Sequence, residues 1–302
     1  MRILLLGANG QVGWELQRSL QALGEVVALD RHGRELAADF SQPDALAATV
    51  AAVRPGLIVN AAAHTAVDKA ESEPDLAQAI NADAPGVLAR SAAACGAWLV
   101  HYSTDYVFDG SGDRPRDEDA PTGPLSVYGR TKLDGEQQIR ASGCRHLILR
   151  TSWVHSARGG NFARTMLRLA ATKTELNVID DQVGAPTGAD LLADLTALMA
   201  RAARARPELA GTYHAVAAGA TSWHGYARLV LDTARAAGVP LALPQGALHA
   251  IPTSAYPTPA PRPLNSRLAT RKLREAFDVH LPDWDAGVRR MLAEILPPRT
   301  QP

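Results

Sequence analysis

Short apolar runs alternate with longer amphipathic segments through the first 150 residues of the chain. Runs of leucine, isoleucine and valine bounded by turn residues predict buried strands, and apolar positions at helical spacing predict helices. The predicted strands cover residues 2–6, 26–30, 57–62, 98–103 and 146–151, with helices between them that include 44–53 and 84–95. Strands that are apolar throughout and alternate with helices predict a parallel sheet covered on both faces.

The second half of the chain has a less regular pattern. It predicts helices over 162–171, 189–205 and 223–237, strands over 176–179 and 211–216, and an ordered loop in the proline-dense stretch 252–263. Proline lacks the N–H that a central strand or a helix interior needs. We therefore predict an α/β fold of the Rossmann type. Its doubly wound parallel sheet occupies a first domain, 1–150, which takes back a segment near 175–205, and a smaller α/β domain covers 151–302.

Composition and charge exclude several classes of protein. The 302 residues are 46% hydrophobic and 21% charged, and 31 basic residues balance 31 acidic ones. A neutral chain has no electrostatic reason to bind nucleic acid or an anionic membrane, and no apolar run is long enough to span a bilayer. Cys95 and Cys144 form neither a disulfide framework nor a metal cluster. We expect a cytoplasmic protein with reduced thiols and no metal in its site.

A glycine-rich turn follows the first predicted strand and opens the first predicted helix. The segment 7–13, Gly-Ala-Asn-Gly-Gln-Val-Gly, places glycine at Gly7, Gly10 and Gly13. Glycine lets the backbone turn sharply and approach a pyrophosphate, and a helix N-terminus offers free N–H groups to it. This context predicts a dinucleotide site.

The second and third predicted strands end in further candidates for that site. Asp30 closes the second strand, where a carboxylate can accept hydrogen bonds from the adenosine ribose. Arg31 follows directly and could instead bind a 2′-phosphate, so the choice between NADH and NADPH stays open. Asp39 and Phe40 are placed to flank the adenine, and the small residues of 61–65 leave room beside the cofactor.

A tyrosine and a lysine four residues apart predict acid–base chemistry. Tyr128 and Lys132 lie in a segment that should be helical, so both side chains share one face. An ammonium near a phenol favours the phenolate, and we expect Lys132 to lower the pKa of Tyr128 toward neutrality. Thr104 ends the fourth strand at the sheet edge where ligands bind. Tyr128 and Thr104 could then both contact a substrate carbonyl.

With these motifs the chain resembles a known family, the extended short-chain dehydrogenase/reductases, and within it the dTDP-4-dehydrorhamnose reductases. The similarity runs nearly end to end, and several of the shared segments lie outside the common cofactor motifs. These segments are GANGQVGWELQ, VNAAAHTAVDKAESEP, HYSTDYVFDG, YGRTKLDGE, LRTSWV, DDQVGAPTGA and AYPTPAPRPLNSRL. The resemblance implies that 1–150 binds NADPH or NADH and that 151–302 binds a dTDP-sugar. It also implies reduction of a C4 ketone in the last step of dTDP-rhamnose synthesis.

The resemblance also implies roles for individual residues. Thr104, Tyr128 and Lys132 are the implied catalytic residues, and Tyr128 is the acid. Contacts to the cofactor are implied for Gly10, Gln11, Val12, Asp30, Asp39, Phe40, Ala63, His64, Thr65 and Tyr102, beside Gly7 and Gly13 of the turn. Thr104, Asp105 and Trp153 are implied for the sugar.

Besides another sugar-nucleotide reductase or an epimerase, two other functions stay open for a chain of this kind. Sugar-nucleotide 4,6-dehydratases share the Tyr-Lys pair but carry Asp-Glu after the catalytic threonine, where this chain has Asp105 and Tyr106. A non-catalytic relative, the regulatory β subunit of methionine adenosyltransferase, binds nucleotide and a partner protein. The intact Thr104, Tyr128 and Lys132 favour the reductase.

The substrate and subunit contacts are the least determined by the sequence. A dTDP-sugar has a diphosphate, for which Arg262 in the proline-rich loop is the first candidate and Arg267 the second. An indole such as that of Trp153 can pack on a sugar face. The chain is expected to be a monomer or a homodimer. Some members of the family form a magnesium-linked dimer, and Asp190 and Glu294 are possible counterparts of its acidic ligands.

Overall fold

The structure, a computed structural model, describes residues 1–33 and 36–297 of the chain. Its strands are β1 (Arg2–Leu6), β2 (Glu25–Leu29), β3 (Leu57–Asn60), β4 (Trp98–Thr104), β5 (Arg145–Thr151), β6 (Val154–His155), β7 (Leu176–Ile179), β8 (Val183–Gly184), β9 (Thr187–Gly188), β10 (Gly211–His214), β11 (Thr221–Ser222) and β12 (Leu248–Ile251).

The helices lie between these strands, and one interrupted segment contains a π-helical turn. They are α1 (Gln11–Gln21), α2 (Pro43–Val53), α3 (Val67–Ser72), α4 (Pro74–Gln78), the π turn Ala79–Asp83, α5 (Ala84–Cys95), α6 (Val127–Ala141), α7 (Phe162–Ala170), α8 (Ala189–Ala205), α9 (Trp223–Ala236), α10 (Arg271–Phe277) and α11 (Trp284–Ile295). Short 3-10 turns cover Asp105–Val107, Pro207–Leu209 and Thr253–Ala255.

Six parallel strands form the central sheet in the order β10-β5-β4-β3-β1-β2. The chain winds outward from β1 in both directions, which makes the sheet doubly wound and creates a switch point between β1 and β3. The register places Asn60, the last residue of β3, beside both Leu6 and His101. Side chains from three strands therefore meet at the carboxyl edge of the sheet.

Apolar side chains cover the sheet on both faces, as the continuous apolar strands predict. One face packs on α1, α8 and α10 through side chains such as Leu16, Leu192 and Phe277. The other face packs on α2, α5 and α6 through side chains such as Leu46 and Leu88. The predicted α/β Rossmann-type fold with a smaller α/β domain is confirmed.

The smaller domain lies beyond the carboxyl edge of the sheet. β7 pairs in parallel with β12, and the aromatic residues Phe162, Trp223, Tyr226 and Trp284 pack together among α7, α9 and α11. α8 packs on the central sheet and β10 joins its edge, whereas β7 pairs with β12 outside that sheet. Residues 298–302 of the second predicted range lie outside the described residues.

None of the helices in the described part of the chain is long and apolar enough to cross a membrane.

Candidate active site

A single cleft of about 1110 Å³ runs along the carboxyl edge of the sheet and reaches the smaller domain. Ligands of open α/β folds bind at this edge. Most of the residues singled out by the sequence line it. They are Gly7, Gly10, Gln11, Val12, Asp30, Asp39, Phe40, Ala63, Thr65, Tyr102, Thr104, Asp105, Tyr128, Lys132 and Trp153. Gly13, His64 and Arg262 lie outside its wall.

The glycine turn is shaped by close backbone contacts. Gly7 has a φ of +83°, and a Cβ there would lie 2.7 Å from the carbonyl carbon of Ala61. Gly13 packs directly on the Gly7 carbonyl group, so a side chain at this position would collide with the backbone. This explains why the position is glycine although it lies outside the cleft wall. α1 begins after Gly10, and no side chain caps it. Its first N–H groups therefore face the cleft, where a pyrophosphate could accept hydrogen bonds from them.

Both acidic residues of the ribose and adenine end are fixed by local hydrogen bonds. The Asp30 carboxylate accepts from the His32 backbone N–H at 2.7 Å and from the Asn9 side chain. The Asp39 carboxylate accepts from the backbone N–H of Ser41 at 2.9 Å and from its hydroxyl. These hydrogen bonds lower the pKa of Asp39. Phe40 is almost fully buried and supplies an apolar surface beside it.

An asparagine that the sequence analysis did not single out fixes the segment after β3. Asn81, in the π turn, accepts from the His64 backbone N–H at 2.9 Å and donates to the His64 carbonyl oxygen at 3.2 Å. It also donates to the Thr131 hydroxyl on α6. Asn81 thus fixes the backbone of His64, whose ring Nε2 lies 3.5 Å from Glu73 Oε2. The sequence carries little signal for this role, because Asn81 is one of several polar residues, with Gln78 and Asp83, in the segment before Pro85.

The predicted acid–base residues converge at the start of α6 and the end of β4. Ser126 caps α6 by accepting from the Gly129 N–H at 3.2 Å, which places Tyr128 in the first helical turn. Burial raises the pKa of Tyr128 to about 12, although a hydrogen bond with the Thr104 side chain lowers it. The Thr104 hydroxyl also lies 3.2 Å from Asp105 Oδ1. Tyr128 is thus protonated throughout the neutral range.

Lys132 does not act on Tyr128 as we expected. Its Nζ donates to the Tyr102 carbonyl oxygen at 2.6 Å and lies 3.2 Å from His101 Nε2. Burial lowers the pKa of Lys132 to about 8, against the charge of Glu136. The expected lowering of the Tyr128 pKa is therefore wrong, because burial dominates at Tyr128 and the lysine bonds the Tyr102 carbonyl oxygen instead.

Asp105 is a further group of the cleft whose pKa departs from its ordinary value. Its side chain is buried, and burial raises its pKa to about 7, against hydrogen bonds from Ser266 and Thr104. Ser266 belongs to the segment that follows the proline-rich loop. Asp105 can therefore be a hydrogen-bond donor as well as an acceptor near neutral pH.

Trp153 lies where the cleft reaches the smaller domain. Its backbone has a φ of +46°, and its ring stacks on Trp223 with centroids 3.6 Å apart and planes 14° apart. Gly184 makes room for the ring, since a Cβ there would lie 3.0 Å from Trp153 Cε2. Trp223 also lines the cleft and donates its indole N–H to Gln182 at 3.1 Å. Both indoles therefore line this end of the cleft as a face-to-face stack.

The two arginines proposed for a diphosphate are already engaged. Arg262 makes two hydrogen bonds to the Asp68 carboxylate, at 3.0 and 2.7 Å, and it lies off the cleft wall. Arg267 donates to Asn265 at 3.2 Å. The structure therefore places Arg262 as a link between the proline-rich loop and α3, not as a free cation facing the cleft.

The acidic residues considered for magnesium surround an arginine. Arg290 Nε lies 3.2 Å from Asp190 and 3.8 Å from Glu294. Within residues 1–33 and 36–297, no group of three or more His, Cys, Asp or Glu side chains could hold a metal ion. Within one copy of the chain both carboxylates thus pair with a guanidinium, and magnesium is not supported there.

The doubly wound sheet, the glycine turn and the Thr104, Tyr128 and Lys132 cluster define an extended short-chain dehydrogenase/reductase. Residues 1–296 match the family model described as the RmlD substrate binding domain. The chain belongs to this family, that of the dTDP-4-dehydrorhamnose reductases, which are oxidoreductases.

Individual relatives are similar over almost their whole length. The dTDP-4-dehydrorhamnose reductases of Salmonella typhimurium and Escherichia coli K12 are 59% and 57% identical over 295 residues, covering 98% of each chain. A crystal structure of dTDP-4-dehydrorhamnose reductase from Bacillus anthracis in complex with NADP is 32% identical, with a TM-score of 0.87, and covers 97% of this chain and 99% of that one.

Proposed function

We propose that the protein reduces the C4 ketone of dTDP-4-dehydro-L-rhamnose to dTDP-L-rhamnose with NADPH or NADH. The observation that supports this most is the convergence of Tyr128, Thr104 and Lys132 beside the glycine turn in one cleft. The names of relatives at 57–59% identity support the substrate, and the NADP in the Bacillus anthracis structure supports the cofactor.

The residues of the first domain fit a nicotinamide dinucleotide. The uncapped N-terminus of α1 and the absence of side chains at Gly7 and Gly10 suit a pyrophosphate. Asp30 is placed to accept from ribose hydroxyls, whereas Arg31 beside it could pair with a 2′-phosphate. When bound, the cofactor supplies the hydride.

The chain's own residues supply the proton and orient the ketone. Tyr128 retains its proton because burial raises its pKa, so it can donate that proton to the carbonyl oxygen as the C4 alkoxide forms. The Thr104 hydroxyl is placed to donate to the same oxygen. A buried site of this kind stabilises developing charge through donors fixed before the substrate arrives.

The stacked pair of Trp153 and Trp223 is the proposed surface for the sugar. An indole packs well on the apolar face of a sugar ring, and Asp105 can bond a sugar hydroxyl in either protonation state. Arg262 is proposed to anchor the proline-rich loop through Asp68. This role is indirect, whereas we first expected Arg262 to bind the diphosphate itself. A monomer or homodimer is the proposed assembly.

Reduction is distinguishable from the two other functions by product and by consumption of cofactor. Purified protein is mixed with dTDP-4-dehydro-L-rhamnose and either NADH or NADPH, and absorbance of the reduced cofactor and the product are followed. Stoichiometric oxidation with formation of dTDP-L-rhamnose is expected. Tight cofactor binding without oxidation would support a regulatory subunit, and water loss from dTDP-glucose would support a dehydratase.

A further inference from the structure

His101 and Asn60 connect Lys132 to the backbone of the sheet through side chains that the proposed mechanism does not use. The Nδ2 of Asn60 lies 3.0 Å from His101 Nδ1, and Lys132 Nζ lies 3.2 Å from His101 Nε2. All three side chains are at least 98% buried. They come together because β3 and β4 pair with Asn60 beside His101, while α6 packs over them.

The orientation of the Asn60 amide is fixed by its neighbour in the chain. Asn60 Oδ1 accepts from the Ala62 backbone N–H at 3.0 Å, so the NH2 group must face His101. An NH2 group can only donate, and His101 Nδ1 must therefore accept. A neutral imidazole carries one N–H, which leaves the proton on Nε2, facing Lys132.

This arrangement is compatible with only one form of the lysine. An ammonium donates through all three hydrogens and cannot accept, so it would oppose the Nε2–H of His101. A neutral amine has a lone pair for that N–H, keeps one hydrogen for the Tyr102 carbonyl oxygen at 2.6 Å, and keeps one for the cleft. The two hydrogen bonds of His101 are then both satisfied.

We propose that His101, held as the Nε2–H tautomer by Asn60, is a positioning residue that donates to the amine form of Lys132 and lowers the pH at which this lysine takes up a proton. The role of Lys132 in reduction rests on the proposed function, whereas the tautomer is a property of the protein alone. Burial lowers the pKa of His101 well below its usual value, so the imidazole itself stays neutral.

The other groups around Lys132 leave His101 as the contact that favours the amine. On α6, Glu136 raises the pKa of Lys132, but Arg150 from β5 makes two hydrogen bonds to that carboxylate, at 2.9 and 2.8 Å. Tyr128, one turn before the lysine, is protonated and uncharged near neutrality. From β4 the lysine meets the Tyr102 carbonyl oxygen and the His101 imidazole.

The direct test is the tautomer of His101 in the intact protein. Nitrogen-15 NMR of histidine-labelled protein distinguishes protonated from bare ring nitrogens, and a His101→Gln variant assigns the His101 signals among the nine histidines. We expect Nε2 protonated and Nδ1 bare in wild-type protein. A protonated Nδ1 with a bare Nε2 would overturn the proposal without any variant having to be active.

A second experiment uses a variant that is expected to reverse the tautomer of His101. In Asn60→Asp the carboxylate can accept both from Ala62 N–H and from His101 Nδ1–H, so Nε2 becomes an acceptor for a lysine ammonium. We expect the His101 tautomer to switch. We also expect the apparent pKa of Lys132, read from the pH profile of kcat/KM, to rise by about 1 unit or more. An unchanged tautomer and an unchanged limb would contradict the proposal.

The matched control adds the same charge nearby without touching His101. Asn81 is also fully buried against α6 but bonds His64 and Thr131. In Asn81→Asp the His101 nitrogen shifts are expected to keep the wild-type pattern. Wild-type protein that shows the Nε2–H tautomer but does not reduce the dTDP-sugar would reject the proposed function alone, and normal turnover with the opposite tautomer would reject this inference alone.

Discussion

Gly129, the residue after Tyr128 in α6, offers a sharp test of how the acid is positioned. A Cβ at this position would overlap the Tyr106 carbonyl oxygen, about 1 Å closer than the 3.4 Å at which ordinary van der Waals contact begins, and would lie 3.0 Å from Pro124 Cβ. Gly129→Ala therefore requires α6 to move away from the turn Asp105–Val107. That movement separates Tyr128 from Thr104, since Thr104 directly precedes this turn.

The displacement sets the expected size of the effect. A shift of roughly 1 Å in a catalytic group costs on the order of 10²-fold in rate, and overpacking of this kind destabilises by about 1–3 kcal/mol. We expect kcat with dTDP-4-dehydro-L-rhamnose to fall by about that factor while the NADPH Kd changes little, because the glycine turn lies on another element.

The control is Gly160→Ala, since a Cβ at Gly160 has no atom within 4 Å and its φ is not in the left-handed region. Steady-state kinetics and thermal unfolding of both variants give the answer. Gly129→Ala with wild-type kcat and an unchanged melting temperature would refute the argument that this contact fixes the position of Tyr128.

Three further substitutions test other parts of the account. Tyr128→Phe should keep cofactor binding in a fluorescence titration while kcat falls by roughly 10² or more, the usual scale of lost acid catalysis; near-normal turnover would reject Tyr128 as the acid. Asp30→Ala should weaken NADH binding more than NADPH binding, because it removes an acceptor for the ribose hydroxyls and a repulsion of a 2′-phosphate; equal losses would show that Asp30 does not contact the ribose. Arg150→Met should destabilise by about 3 kcal/mol in urea unfolding, because Glu136 loses two of its buried hydrogen bonds. Burial raises the pKa of Glu136, but Arg150, together with Ser103 and Arg140, lowers it below its ordinary value. The contribution of this pair is therefore present above the unfolded pKa and is lost as pH falls through the folded one. A variant as stable as wild type at neutral pH would contradict this.

The strands and helices were predicted well from local sequence patterns, because turn residues mark where an apolar run ends. β1 covers the predicted residues 2–6, where an apolar run meets the Gly7 turn. The predicted third strand was too long, since Ala61 and Ala62 leave the sheet after Asn60 to line the cleft. Placement of Tyr128, Thr104 and Lys132 in one cleft was predictable because Thr104 ends an apolar strand and because Tyr128 and Lys132 are four residues apart in a helical segment.

Pairwise contacts between distant residues could not be predicted in the same way. Asp68 neutralises Arg262 from 194 positions away, so the proline-rich loop alone suggested a free cation. Asn60 and His101 are 41 positions apart and meet only through the register of β3 and β4. Burial, which sets the pKa of Tyr128 and of Lys132, is likewise a property of the folded chain.

The central claim is hydride transfer to C4 of the keto sugar, and an isotope label tests it directly. Wild-type protein is incubated with dTDP-4-dehydro-L-rhamnose and NADPH deuterated at the reactive C4 position of the nicotinamide, and the product is examined by proton NMR. The account predicts dTDP-L-rhamnose with deuterium at sugar C4 and none elsewhere. Product without deuterium at C4, or no product while the cofactor stays bound, would contradict it.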